Sequence, residues 1–128
     1  GAALCVFLHA ELKSGIETVL DLIEFDQLLE GTDLVVTGEG RIDWQSAFGK
    51  VPSGIGIRCK KKGVPAVAIV GGMGDGADKI YEFGVKSILP TINGAMEIEE
   101  ALKRAEELYA NGADRLFRMI QVGMEMKR

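Results

Sequence analysis

One histidine and two cysteines are all that this chain of 128 residues offers among the usual soft metal ligands and nucleophiles. Cys5 and Cys59 stand far apart, each in apolar or helical context, which favours free thiols over a disulfide framework or a metal site. Free thiols point to a cytosolic (cytoplasmic) compartment. His9, among Val6, Phe7, Leu8 and Leu12, reads as a structural or surface residue. No apolar run reaches the ~18 residues of a membrane span, and no basic leader with a cleavage signature is seen, so neither span nor signal peptide is expected. Positive charge is short as well: 15 Lys and Arg face 19 Asp and Glu. Apart from Lys60-Lys61-Lys62, which suits the last turn of a helix, the basic residues are scattered, and a nucleic-acid platform needs a basic stripe.

The common phosphate fingerprints are missing too. Gly38-Glu39-Gly40 has Asp43 where a dinucleotide loop needs its third glycine, and Gly72-Met73-Gly74 has Ala77 there. Gly49-Lys50 is preceded by Trp44 at the first glycine of a Walker loop and followed by Val51 instead of Ser or Thr. Any nucleotide is held by a different scheme.

What is present begins with two apolar runs, Leu34-Val35-Val36 and Ala66-Val67-Ala68-Ile69-Val70, which read as buried parallel strands. Val85 to Leu89 is a third. Helical spacing marks Leu4 to Leu12, Ile16 to Ile23 with Ser14 as N-cap, and Phe25 to Glu30, which should send Leu28 and Leu29 to the core. A helix opened by Pro52 ends at Gly63, and a short one runs from Ala77 to Gly84. From Ile98 to Met124 the apolar positions step by three or four, which predicts one long amphipathic helix with room for a kink at Gly112; Met119, Met124 and Met126 serve core or interface packing. Strands alternating with helices give an α/β, three-layer, doubly wound fold with a mostly parallel sheet. Three strands leave a bare edge, to be covered by another part of a longer chain or by a second subunit, in a homo-oligomer. The start at Gly1-Ala2-Ala3, without Met, fits a piece of something longer.

The chemistry gathers after the first strand. Thr37 to Lys50 holds Glu39, Asp43, Arg41, Lys50, Gln45, Ser46 and the glycines Gly38, Gly40 and Gly49, at the carboxyl end of a strand, where open α/β sheets bind ligands. Glycines admit backbone N–H groups to phosphate oxygens, and the helix start near Pro52, Ser53 and Gly54 offers unpaired donors. Lys50 and Arg41 supply charge; Glu39 or Asp43 suits Mg²⁺ or a proton from an attacking hydroxyl. A structural reading of the same residues pairs Arg41 with Asp43 or Glu39 in a polar connection. Gly71 to Gly76 forms a second loop at the same edge, where Gly71 and Gly72 either touch the ligand or serve only the turn, and Asp75 either joins them or caps the next helix. Trp44 is either a lid or an anchor.

The run Thr-Gly-Glu-Gly-Arg-Ile-Asp-x-Gln-Ser-x-x-Gly-Lys-x-Pro from Thr37 to Pro52 resembles the signature of the glycerate kinase type 1 family. Glu11 to Glu17 with Leu20 and Asp21, and Lys62 to Ala68, are similar to the segments flanking that signature. Family members are longer and have two α/β domains, so the resemblance implies that residues 1–128 are the C-terminal portion of the Rossmann-like domain. Glu97 departs from the Ser cap that the family tends to place before the final helix. The implied activity is phosphorylation of D-glycerate with ATP and Mg²⁺, with Gly38, Glu39, Gly40, Arg41, Asp43, Gln45, Ser46, Gly49 and Lys50 lining the cleft. Within that set, Lys50 and Arg41 are assigned to phosphates or the glycerate carboxylate, Asp43 to the base or the metal, and Glu39 to the metal. A fragment lacking half the cleft is expected to be inactive alone. The competing reading is a non-catalytic α/β module that binds a nucleotide or anion, or that serves assembly.

Overall fold

A computed structural model describes residues 15–47 and 50–127, with the side chains of Ser46 and Ala47 outside the description. The expected first helix, its Ser14 cap, Cys5, His9 and Gly49 therefore lie outside the described residues.

Continuous apolarity makes Ala66–Met73 (β2) the central strand. It pairs in parallel with Val35–Ile42 (β1) on one side and Val85–Pro90 (β3) on the other, in the order β1-β2-β3. A strand between two others has both faces covered, and Ala66, Ala68, Ile69 and Val70 are all buried. Both outer strands outrun their sequence expectation. β1 continues through Gly38 to Ile42 because the register Val35↔Ala66 holds as far as Ile42↔Met73, so five residues expected in a loop belong to the sheet. Gly71 and Gly72 likewise belong to β2, which runs on to Met73, and do not begin a turn.

The strand order runs one way only. Right-handed crossovers then put both connecting segments on one face: the helix Val51–Lys62 (here α3) and the 3-10 segment Ala77–Phe83. Outside α3 sit Gly15–Leu22 (α1) and Phe25–Leu28 (α2). The Arg58 guanidinium on α3 ties them together, 2.8 Å from Asp21 and 3.3 Å from Asp26, and these carboxylates raise its pKa further. Val51, not Pro52, opens α3, and Pro52 takes the second helical position, where its missing N–H is still unneeded. Gly63, at φ 69°, closes it in the left-handed conformation that glycine accepts without strain. The core on this face joins Ile42, Ala68, Val70, Ala77, Ile80, Val85 and Ile88, with a second cluster of Leu29, Cys59, Val64 and Ala66. Cys59 is a free buried thiol whose pKa burial pushes up. Leu29 enters the core but Leu28 is exposed, because α2 is a single turn and presents only one side inward.

The other face carries two helices where one was expected, Ile98–Lys103 (α4) and Ala105–Glu125 (α5). The backbone turns at Arg104, where ψ is 13°, while the hydrogen-bond ladder continues from Glu100 through Arg104 to Leu108. Gly112, the expected kink, stays helical and packs against Thr91, whose Cγ2 would lie 3.1 Å from an added Cβ. Leu108 is buried and Tyr109 half-buried against the sheet, but Leu102, Phe117, Met119, Met124 and Met126 are exposed. The apolar stripe is only partly covered by the described residues.

Candidate active site

The carboxyl end of β1 delivers the polar residues. Strand alternation places Glu39 and Arg41 on one side of β1, and Asp43 follows as the chain leaves the sheet. The next residues, Trp44–Ala47, coil into a 3-10 turn that brings Gln45 back over the strand end. This turn is anchored twice. The Gln45 N–H donates to Asp43 Oδ1 at 3.0 Å, and the Trp44 N–H donates to the carbonyl of Asp75 at 3.0 Å, stitching the β1 loop to the β2 loop. Trp44 itself is half exposed, with its Cβ against Gly76; a Cβ on Gly76, at φ 77°, would lie 2.6 Å from it. Asp75 does not cap the 3-10 segment, whose N-cap is Gly76 without a side-chain bond.

Glu39, Arg41, Asp43, Gln45 and Lys50 line one cleft of about 220 Å³. Five of the residues singled out in the sequence thus meet in space. The ion pair that would tie up this set is weak: Arg41 Nε stands 3.9 Å from Asp43 Oδ2, with the two side chains 68% and 30% exposed. At that distance and exposure an ion pair contributes at most ~1 kcal/mol. Glu39 Oε1 accepts the Gly40 N–H at 3.0 Å, which steers the carboxylate along the strand end. Lys50 is the N-cap of α3, and its carbonyl accepts from Gly54 N–H and from the buried Ser53 hydroxyl, each at 3.0 Å. The first turn of α3, with its N–H donors and partial positive charge, thereby begins at the lysine that lines the cleft. Ser46 lies in the 3-10 turn between Asp43 and Lys50, and Gly38 lies within β1 under Tyr109.

Among the described residues no three of His, Cys, Asp and Glu gather into a metal cage. Magnesium bound with a nucleotide needs only one or two carboxylates, the phosphates and water supplying the rest. Glu39 and Asp43 in one cleft meet that demand.

Gly71 and Gly72 lie elsewhere. With Gly40 they floor a second cleft, of about 320 Å³, whose other wall is Leu108, Tyr109, Ala105 and Leu102. Arg41 borders both clefts. Tyr109 Oη donates to the Glu39 carbonyl at 2.8 Å and lies 3.3 Å from that of Ile69, which fixes its ring as a wall. Burial first, then the Glu39 carboxylate, raises its pKa. Sequence reasoning assigned these helix residues to a core stripe; strand glycines facing an apolar helix were the available signal.

A family model described as "Glycerate kinase family" matches residues 1–121. The chain is 42% identical over 107 residues to the glycerate kinase of Bacillus cereus, covering 84% of this chain and 28% of that protein. It is 38% identical over 113 residues to the glycerate kinase of Halalkalibacterium halodurans, covering 88% and 30%, and 35% identical over 124 residues to the glycerate 2-kinase of Escherichia coli, covering 97% and 32%. A crystal structure of a protein assigned as glycerate kinase 2 from Salmonella typhimurium superposes with a TM-score of 0.72 at 34% identity, over 98% of this chain and 32% of that one. The chain spans about 30% of the length of the curated relatives it matches.

Proposed function

Because the chain belongs to the glycerate kinase family, we propose that it supplies the phosphate-handling part of an enzyme that phosphorylates D-glycerate with ATP and Mg²⁺. The observation that carries this reading is the single cleft shared by Glu39, Arg41, Asp43, Gln45 and Lys50 beside the first turn of α3. Phosphoryl transfer asks for positioning and for cationic groups where charge develops on the transferred phosphoryl. Lys50 and Arg41 provide two cations, and the N–H groups of Val51 and Ser53 add uncharged donors from a rigid element. Asp43, steadied through Gln45 N–H, accepts the proton of the glycerate hydroxyl as it attacks. With Asp43 as the base, Glu39 would hold Mg²⁺, which when bound neutralises phosphate charge. The short 3-10 turn limits how far Asp43 and Gln45 can move apart. Ser46 and Gly49, within the same signature, complete the loop in this reading.

In an enzyme of full family length carrying this segment, Asp43→Asn lowers turnover by about 10²-fold or more, the usual share of a general base. ADP release with D-glycerate as acceptor measures it. Turnover within about threefold of the parent removes Asp43 from the chemistry. The rival reading, a binding module without catalysis, predicts that nucleotide binding survives the same substitution and that no ADP forms in either protein.

A further inference from the structure

The apolar cleft is not explained by phosphate handling. Its floor holds two glycines, Gly40 and Gly72, in the last stretch of paired strands, where a glycine weakens the sheet and supplies no side chain to pack. A strand glycine is ordinarily required by a positive φ or by a close neighbour. Neither applies here. Both lie outside the left-handed region, and among the described residues a Cβ added to either would meet nothing within 4 Å. Their neighbour Gly71 is the contrast, since its Cβ would stand 2.6 Å from the Gly40 carbonyl. What Gly40 contributes is therefore room, on the floor of a cleft whose volume of about 320 Å³ lies at the small end of ligand sites, while Gly72, in register with Arg41, adds bare backbone to it.

The shape and chemistry of that room are specific. A flat ring can lie on bare strand backbone, edged by Tyr109, Leu108 and Ala105, with Leu102 at the rim. Tyr109 is held in place as a wall by the hydrogen bond from its hydroxyl to the carbonyl of Glu39. A small anionic acid gains nothing from such walls, whereas a purine loses apolar surface to them. Arg41, the residue common to both clefts, marks where a ligand crosses from carbon to charge.

We infer that this cleft binds the base of the nucleotide, laid over Gly40 and Gly72, with the phosphates passing Arg41 toward Lys50. The direction of the phosphates rests on the kinase reading; the base site does not. A ligand with an apolar, planar end and a polyanionic end thus finds both halves in one stretch of sheet edge.

The test uses adenosine and inorganic tripolyphosphate as separate probes, titrated calorimetrically into the chain, into Gly40→Val and into Lys50→Ala. The expected result is saturable adenosine binding that weakens about tenfold or more in Gly40→Val while tripolyphosphate is unaffected, and the reverse in Lys50→Ala. Ala105→Met, which enters the same cleft from α5, reproduces the Gly40→Val result and guards against a local fault in the strand. Adenosine that fails to saturate by about 10 mM, or that binds both cleft variants within about twofold of the parent, overturns the base site. Tripolyphosphate that binds Lys50→Ala within about twofold of the parent, with adenosine behaving as expected, sinks the phosphate-handling reading and leaves the base site standing.

Discussion

The two faces of the sheet use glycine in opposite ways. On the α3 face a Cβ at Gly56 would stand 2.5 Å from the Phe83 carbonyl and 3.0 Å from Val85, and Gly84, at φ 99°, has the Gly56 carbonyl directly against it. Helix and turn touch there backbone to backbone, over a core in which Ile42, Val70, Ile80 and Val85 are at most 1% exposed. On the α5 face the glycines of β1 and β2 leave space that nothing described fills, and Leu108 is the one large α5 side chain fully buried among the described residues. One face thus obtains closeness from missing side chains, the other obtains room. Cohesion resides on the first, and recognition on the second and along the strand ends between them.

That division can be broken most sharply on the tight face. Gly56→Val forces α3 off Phe83 and Val85 and costs ~3 kcal/mol or more, read as a fall in the denaturant midpoint. A variant as stable as the parent shows that the backbone contact is not what holds the layers.

A smaller effect falls on the open face. Tyr109→Phe removes one hydrogen bond, to the Glu39 carbonyl, and costs ~1 kcal/mol at neutral pH. It also changes the alkaline limb. The folded-state pKa of this phenol is raised above its ordinary value near 10, so its contribution is complete below about pH 10 and is lost as pH rises through the raised value. In Tyr109→Phe that part of the decline disappears; an unchanged alkaline limb contradicts the burial of the phenol.

The smallest change is expected where the largest loss of ligand is. Gly40→Val leaves stability within ~0.5 kcal/mol of the parent or raises it, since valine favours strands and its Cβ meets nothing among the described residues. A loss as large as that of Gly56→Val erases the distinction between the two kinds of glycine.

Sequence alone carried the central strand and the stops well, for physical reasons. Ala66 to Val70 has no polar side, which only a strand covered on both faces tolerates, and Gly63 and Gly84 sit where a left-handed residue is required. The polar cleft was legible because its residues lie within one short signature, so that a strand end and one 3-10 turn suffice to gather them. Gly38 to Arg41 misled, because glycine and charge look like a loop while the ladder to β2 keeps them extended. The turn at Arg104 leaves no mark in the apolar spacing, which continues in phase through it. The apolar cleft was hidden for a related reason: a helix that lines a ligand site has the same periodicity as one that lines a core. Only the sheet opposite tells them apart, by what its glycines do not touch.

The most direct measurement follows backbone amide resonances of the chain during titration with MgATP. The account predicts that Gly40 and Gly72 shift together with Lys50 and Val51, saturating at one concentration, since a single ligand spans both clefts. Shifts confined to other parts of the chain, or none at Gly40, Gly72 and Lys50 at saturation, contradict it.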